Sequence, residues 1–377
     1  MIYLDNAATT KPCREAVDAV LEAAGEFGNP SSLHGLGLKA EKLINRSKES
    51  LAKKLKVNKK QIYFTSGGTE ANNLAIFGAA EAMKRTGKRI ITSKIEHPSV
   101  IEAFKRLGSV GYDVVFADAD REGRVNIDSV RNALTSDTIF VSIMHVNNET
   151  GVIQPIEEIS KAVKNVSPKC IMHTDCVQSF CKMPVHPSEL GADMVTISAH
   201  KIHGFKGCGA LYTGNVRLVP QIYGGEQQNE VRPGTENVAG ILAFGAACDA
   251  AVCDTEALRG KRELMRREIL NYAPWAEING SDVYNSGSVL NVSFPGIKAE
   301  ILLHSLERHE IYISTGSACS SHKPQPSHVL TAMGIDAASV AGAVRISFSQ
   351  ETTDAEIIEA AKHIAAEADS IKRYMRG

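Results

Sequence analysis

The 377-residue sequence has no excess of charge of either sign. Lys and Arg total 42 against 43 Asp and Glu, which leaves a formal net charge of -1. A chain without a global positive field has no general attraction for nucleic acid or for an anionic membrane. We therefore predict no direct nucleic-acid partner, and any anionic ligand has to be bound by local groups.

The sequence also lacks a long apolar run. No stretch approaches the roughly 18 apolar residues of a membrane-spanning helix, and Asp5 stands where a signal peptide needs an apolar core. These absences predict a cytoplasmic protein without membrane association.

Patterns of metal ligands and disulfides are missing too. The chain has eight cysteines but no C-x-x-C pair and no cluster of Cys and His at ligand spacing. Reduced thiols, most of them small buried side chains, fit this composition better than a disulfide framework or a zinc site. We expect no resident metal.

Two kinds of pattern follow one another along the chain. Between residues 61 and 213, short apolar strand patterns alternate with longer helical ones, which predicts βα units and a mostly parallel sheet. From about Thr255 a charged helix, further strand patterns and an amphipathic helix predict a smaller α+β domain. We place the large domain at residues 12–254 and the small domain at residues 255–377, with residues 1–11 added to it.

A glycine turn between a strand and a helix lies in the segment YFTSGGTEANN. Gly67 and Gly68 allow close approach of the backbone, and the helix start offers N–H groups and the positive end of its dipole to an anion. Thr69 can add a hydroxyl contact to a phosphate oxygen. The alternative is an ordinary helix start that the Thr69 side chain caps.

Polar residues follow three other strand patterns. In KCIMHTDCVQ, Asp175 can ionise against a pyridinium nitrogen and Gln178 can reach a ring hydroxyl; the alternative is an aspartate that caps the next helix. In TISAHKIHG, Lys201 can lose its proton and form a Schiff base, with Ser198 and His200 as further phosphate contacts. The alternative for Lys201 is a solvated surface charge.

His97, in SKIEHPSV, and Asn148, in MHVNNETG, suit the same site because each comes just after a strand. An imidazole can lie flat against a pyridine ring and can move protons near neutral pH. The alternative for His97 is a structural histidine.

Taken together, these segments resemble the cysteine desulfurases, which belong to the aspartate-aminotransferase-like pyridoxal phosphate enzymes. The resemblance covers nearly the whole chain, from YLDNAATT and GNPSSLHGLG through TSGGTEANN, EHPSV, HVNNETG, DCVQ and SAHKIHGFKG to RPGTENV, TGSACSS, PSHVL and VRISFS. It implies a large α/β domain with a mostly parallel seven-stranded sheet flanked by helices, a smaller α+β domain, a homodimer, and pyridoxal 5'-phosphate as cofactor.

The resemblance also implies roles for individual residues. Lys201 would carry the Schiff base, and His97 would stack on the ring and take part in catalysis. The remaining cofactor contacts would be Gly68, Thr69, Asn148, Asp175, Gln178, Ser198, His200 and, from the partner subunit, Thr235. The substrate, L-cysteine, would be bound by Arg345, Asn148 and Asn6.

Cys319 distinguishes the reaction. It lies in ISTGSACSSHKPQPSHVL, a stretch rich in Gly, Ser and Pro that predicts an exposed loop. The resemblance implies that its thiolate takes the substrate sulfur as a persulfide, that L-alanine leaves, and that the sulfur passes to an acceptor such as an iron–sulfur scaffold protein. Cys319 could also ligate an iron–sulfur cluster transiently. The alternative is an incidental surface thiol.

Other functions compete with this one. Gly35, Gly37 and Ala40 match a dinucleotide-binding fingerprint, but no strand precedes them. A selenocysteine lyase or cysteine-sulfinate lyase of the same family differs in the leaving group. A sulfur-trafficking scaffold without catalysis would have lost the lysine or the reactive cysteine.

Three positions depart from the usual family pattern. The segment GGEQQNEV stands where GGGQERG is common, which places Glu226 near the expected dimer region and leaves acceptor binding open. Phe205 replaces a frequent proline, and Cys176 directly follows Asp175; we assign neither a function, and expect Cys176 to be a buried filler.

Overall fold

The computed structural model describes residues 1–315 and 326–376. Its helices are α1 (Arg14–Gly25), α2 (Gly35–Leu55), α3 (Gly68–Met83), α4 (Pro98–Ser109), α5 (Ile127–Ala133), α6 (Ile156–Val166), α7 (Pro187–Leu190), α8 (Val238–Ala250), α9 (Thr255–Tyr272), α10 (Ala299–Glu307), α11 (His328–Ala332), α12 (Ala337–Ala341) and α13 (Asp354–Arg376). Its strands are β1 (Ile2–Tyr3), β2 (Ile62–Thr65), β3 (Arg89–Ser93), β4 (Asp113–Ala117), β5 (Thr138–Ser142), β6 (Ile171–Asp175), β7 (Met194–Ser198), β8 (Gly209–Tyr212), β9 (Glu277–Asn279), β10 (Val289–Ser293), β11 (Ile311–Tyr312) and β12 (Ala343–Ser347).

A seven-stranded sheet forms the centre of the larger part. Its strand order is β2-β8-β7-β6-β5-β3-β4. Strand β8 runs antiparallel to its neighbours β2 and β7, and the other neighbouring strands are parallel. The mostly parallel seven-stranded sheet is therefore confirmed.

Helices cover both faces of this sheet because its central strands are apolar on both sides. Ile90 and Phe140 belong to an apolar cluster that contains residues of α3 and α4. Their neighbours along the strands, Ile91 and Val141, belong to a separate cluster with residues of α5 and α6. Since successive side chains of a strand point to opposite faces, this alternation places one helical layer on each side.

The smaller part is built on an antiparallel sheet with the order β12-β10-β9. Its apolar cluster joins Ile2 and Leu4 to residues between Leu258 and Ile371. Strand β1 pairs in parallel with β11, so the amino-terminal segment is attached to the carboxyl-terminal third of the chain. The predicted boundary at residue 255 stays a prediction.

Among the described residues, no single helix is long and apolar enough to cross a membrane. Helices α8 and α9 reach the necessary length and hydropathy only together, and they are bent by 83° relative to each other.

The sheet brings the predicted site residues to one edge. Strands β2, β3, β5, β6 and β7 all run in the same direction, so their carboxyl ends lie on the same side. The glycine turn, His97, Asn148, Asp175 and Ser198 stand at or just after these ends. Ligands of open α/β sheets bind at this edge.

Candidate active site

The glycine turn packs tightly against the other strand ends. Helix α3 begins at Gly68, and Gly67 before it has no side chain with which to cap the first turn. A Cβ on Gly68 would lie 2.9 Å from Cγ2 of Val177 and 3.7 Å from Cβ of Ser198. Glycine is therefore required for this approach. Thr69 is exposed in the first helical turn, so the alternative in which Thr69 caps the helix is wrong.

The Asp175 carboxylate is buried and held from two sides. Its Oδ2 accepts a hydrogen bond of 2.7 Å from Nδ2 of Asn72, and its Oδ1 accepts one of 2.9 Å from the backbone N–H of Val177. The residues that follow form turns rather than an α-helix, so Asp175 stabilises a turn and does not cap a helix.

Asn72 extends this contact to His97. The Asn72 amide also donates to Oγ of Ser99 (2.9 Å), and Oγ of Ser99 lies 2.8 Å from Nδ1 of His97. Nδ1 of His97 further accepts the backbone N–H of Ser99 at the start of α4 (3.2 Å). Because Nδ1 is an acceptor, the neutral ring carries its proton on Nε2.

The electrostatic surroundings favour this neutral form of His97. Burial lowers its pKa, the Asp175 charge opposes that shift, and the positive charges of Lys201 and Arg345 add to it. His97 thus combines the structural role considered as the alternative, which is capping α4, with a position beside Asp175 and Lys201.

Lys201 follows β7 in a 3-10 turn and is half-buried rather than a surface residue. Its Nζ donates to the carbonyl oxygens of Ala7 (2.6 Å) and Ala8 (2.7 Å). Nε2 of Gln178 donates to the same Ala7 oxygen at 2.9 Å. The amino-terminal segment therefore forms one wall of the site.

Ser198 and His200 flank the lysine. Ser198 is buried, and its Oγ has no hydrogen-bond partner among the described residues. Nδ1 of His200 lies 3.2 Å from Oγ1 of Thr9. Burial, followed by the charge of Lys201, lowers the pKa of His200 to about 4, so its imidazole is neutral at neutral pH.

Arg345 comes from β12 and is only 4% exposed. Its Nη2 donates to Oδ1 of Asp5 (2.7 Å), and its Nη1 donates to the backbone oxygen of Asn148 (3.2 Å). Within the described ranges, Nε of Arg345 and Oδ1 of Asn148 are buried without a partner. Asn6 donates to the backbone oxygen of Ser347 (3.0 Å), which fixes the amino-terminal segment on β12.

Of the two remaining candidates, only Thr235 belongs to the described residues. Thr235 is exposed on the loop before α8. Cys319 lies outside the described residues. Cys176, by contrast, is fully buried, and burial raises the pKa of its thiol to about 12, as expected of an unreactive filler.

Several contacts were not foreseen from the sequence. Asn72, Ser99 and Asp5 lie within the segments TSGGTEANN, EHPSV and YLDNAATT, but no individual role was predicted for them, and each meets its partner through folding of distant segments. The signals for Asn72 were its place in that segment and its position one helical turn after Gly68.

The residues present fit a phosphorylated pyridine ring. The uncapped start of α3 and the unpaired Oγ of Ser198 suit a phosphate. The Asp175 carboxylate suits a protonated ring nitrogen, and Lys201 lies close enough to couple electrostatically to His97. The unpaired Nε of Arg345 and Oδ1 of Asn148 suit the carboxylate and ammonium groups of an amino acid.

Known proteins are similar to this chain in sequence. The family model described as aminotransferase class-V matches residues 2–359. The cysteine desulfurase IscS of Dictyoglomus turgidum is 41% identical over 362 residues, which covers 94% of this chain and 91% of the relative.

Solved structures are similar to this chain in fold. A NifS-like protein superposes with a TM-score of 0.91 at 34% identity, covering 98% of this chain and 99% of that one. A structure described as SspA in complex with cysteine has a TM-score of 0.83 at 33% identity, with 92% of this chain and 99% of that one covered.

The lowered pKa of His200 predicts an acid-sensitive site. In the unfolded chain a histidine titrates near about 6.5, so folding disfavours the protonated form and stability is lost as the pH falls from about 6.5 toward 4. By NMR of the ligand-free protein, with the resonance assigned through His200→Gln, we expect no titration of this ring between about pH 8 and pH 5.5. A midpoint near that of the urea-unfolded chain would contradict the prediction.

Proposed function

The chain belongs to the aminotransferase class-V family, and we propose that it is a pyridoxal-phosphate-dependent cysteine desulfurase. The single observation that carries the proposal is the group formed by His97, Asp175, Ser198 and Lys201 at one edge of the sheet. The relatives named cysteine desulfurase and the neighbour solved with cysteine support the substrate. Neither relative's name supports the selenocysteine or sulfinate lyase alternative.

The protein's own groups would hold the cofactor at both ends. Lys201 would bind it covalently, the start of α3 with Ser198 and His200 would take its phosphate, and Asp175 would keep the ring nitrogen protonated. Asn72 supports this role, because its hydrogen bond fixes the orientation of the Asp175 carboxylate. Bound there, pyridoxal phosphate supplies a ring that stabilises negative charge on the substrate Cα.

Gln178 would meet the ring oxygen and His97 the ring face. The neutral His97 carries its proton on Nε2 and is fixed through Nδ1, so the ring can hold its orientation while Nε2 exchanges a proton. The lowered pKa favours the neutral ring, so Nε2 of His97 carries a proton that it can donate, while the lone pair of Nδ1 faces Ser99.

Arg345 would bind the substrate carboxylate, with Asn148 and the Asn6 segment beside it. Asp5 and the Asn148 carbonyl accept from the two Nη atoms of the guanidinium, and Nε is buried without a partner among the described residues. A hydrogen bond from such a charged donor to a carboxylate is stronger than one between neutral groups. This supports an α-amino acid substrate.

Sulfur would then pass to Cys319. The Cys319 thiolate would attack the substrate sulfur, the Cβ–S bond would break with its electron pair moving to the carbon side, and protonation there would release L-alanine. The acceptor would be a protein such as an iron–sulfur scaffold. A cytoplasmic location and the acceptor's identity stay predictions.

A homodimer is supported by exposed apolar side chains on two adjoining segments. These are Leu21, Phe27, Leu33, Leu36 and Leu38 of the first segment and Ile222 and Tyr223 of the second, with Leu33 96% and Tyr223 83% exposed. The segments adjoin because Pro30 and Gln227 line the same surface cavity. Exposed apolar side chains on neighbouring segments support a protein interface. Thr235, which is exposed and lies nearby in sequence, would reach the phosphate site of the partner subunit.

The cofactor proposal is tested by colour. Purified protein given pyridoxal phosphate should turn yellow, and borohydride should fix the cofactor to the peptide that contains Lys201. Lys201→Ala should abolish both effects because the only covalent anchor is lost. Lys206→Ala, an exposed lysine on the same loop, is the control. A wild-type protein that gains no visible absorbance would defeat the proposal.

The sulfur-transfer step is tested with Cys319→Ser. Alanine formation from L-cysteine should fall to background, because a hydroxyl does not accept sulfur. Mass spectrometry should also detect one added sulfur atom on the wild-type loop peptide and none on the variant. Cys253→Ser, which alters an exposed thiol, should behave as wild type. Turnover by Cys319→Ser at the original rate would mean that this thiol is not the acceptor.

The dimer is tested by placing a charge on the apolar surface. Leu33→Glu should raise the dissociation constant of the dimer at least about tenfold, since about 1.4 kcal/mol of binding free energy suffices for that change. Sedimentation equilibrium measures it, and activity should fall with the dimer fraction if Thr235 acts across the interface. Val283→Glu, at a side chain 74% exposed in another region, is the control. A monomeric wild type would refute the interface.

A further inference from the structure

A second lysine, Lys182, stands beside the proposed cofactor site. It is the last residue of the turn at residues 177–182, which follows β6, and it is half-buried. Together with Lys201 it lines a cleft with a volume of about 210 Å³. No role for Lys182 follows from the sequence patterns.

The hydrogen bonds around Lys182 form a continuous series. Its Nζ donates to Oε1 of Gln178 at 3.4 Å, and Nε2 of Gln178 donates to the Ala7 oxygen, which also accepts from Nζ of Lys201. An ammonium group only donates and a carbonyl oxygen only accepts. The two ends of the Gln178 amide are thereby assigned, with Nε2 on the side of Lys201.

The charge of Lys182 is not neutralised by a nearby acid. No carboxylate of the described residues forms an ion pair with it, although Glu15 and Glu351 line the same cleft. Burial lowers the pKa of Lys182 to about 7, and the positive charges of Lys201 and Arg345 add to the shift. Holding a positive charge inside the protein lowers its stability. Packing of the aliphatic stem alone does not explain why a lysine stands at this position.

We propose that Lys182 is a positioning residue for the cofactor. It holds the carbonyl end of the Gln178 amide, so that Nε2 is the end available on the side of Lys201, and in its protonated form it places a positive charge beside Lys201. The proposal rests on the proposed function, because it requires pyridoxal phosphate at Lys201.

The charge has a consequence of definite sign. A neighbouring cation disfavours a proton on the Lys201 nitrogen and favours negative charge on the ring oxygen. Besides Lys201, the other charged or titratable groups that face Lys182 or line its cleft are Arg345, Cys181, Cys13, Glu15, Glu351, His200 and His203. All of them remain when Lys182 is replaced, so the effect of its charge can be isolated.

The experiment follows the visible absorbance of the bound cofactor as a function of pH. Lys182→Met keeps the aliphatic stem but removes the charge and the donor, and it should raise the midpoint of the absorbance change by about one pH unit, equivalent to about tenfold in the proton equilibrium. Cofactor release, measured by dilution, should become several-fold faster. Lys182→Arg, which keeps the positive charge and a donor, should leave the midpoint and the release rate close to those of the wild type.

Lys48→Met is the matched control. Lys48 is also half-buried with a pKa lowered by burial, but it lies on α2 over the Tyr63 ring. Its replacement should leave the midpoint and the release rate unchanged. Thermal unfolding of all variants separates a folding defect from an effect on the site.

The outcomes are distinct. A Lys182→Met protein with the wild-type midpoint and release rate overturns the positioning role while the proposed function stands. Equal shifts in Lys182→Met and Lys48→Met, together with equal losses of thermal stability, also overturn it. A wild-type protein that binds no pyridoxal phosphate overturns the proposed function and this inference together.

Discussion

The site depends on the two hydrogen bonds that the Asn72 amide donates. One reaches Asp175 at the end of β6, and the other reaches Ser99, which holds His97 at the start of α4. Asn72 itself lies on the helix whose first turn offers the anion site. One buried amide therefore sets the relative positions of three chemically different groups. Loss of this amide would leave Oδ2 of the buried Asp175 carboxylate without its donor, which is more costly than the hydrogen bond alone.

The amino-terminal segment supplies the opposite wall. Its carbonyl groups accept from Lys201 and Gln178, and its Asp5 pairs with Arg345. The proposed cofactor anchor and the proposed substrate anchor thus contact the same few residues. A shift of this segment would change the contacts of both Lys201 and Arg345. The proposed substrate site and the proposed cofactor anchor are therefore coupled through one short segment.

The sequence predicted the sheet and the strand-end residues well, and the reason is geometric. Parallel strands expose their carboxyl ends at one edge, so Asp175, Ser198 and Lys201 could be placed together from the order of strand patterns alone. The family resemblance supplied their chemistry. The alternative role of Asp175, as the cap of a following helix, was excluded only by the structure, in which a turn follows this residue.

The contacts that were missed join residues far apart in the chain. Asn72 and Asp175 are separated by 103 positions, and Asp5 and Arg345 by 340. No local propensity encodes such pairs. No role was predicted for Lys182, because most lysines lie on the surface and the burial of a side chain is a property of the folded chain. The role of Cys319 and the domain boundary stay predictions.

The 340-residue separation of Asp5 and Arg345 also bears on how the protein is made. The segment that carries Asp5 is synthesised before the seven-stranded sheet, whereas its partners β11 and β12 are synthesised after it. The last strand of that sheet, β8, ends at Tyr212. A nascent chain that already contains every strand of the sheet therefore still lacks the partners of Asp5, and the pocket between the amino-terminal segment and Arg345 can close only after β12 has been synthesised.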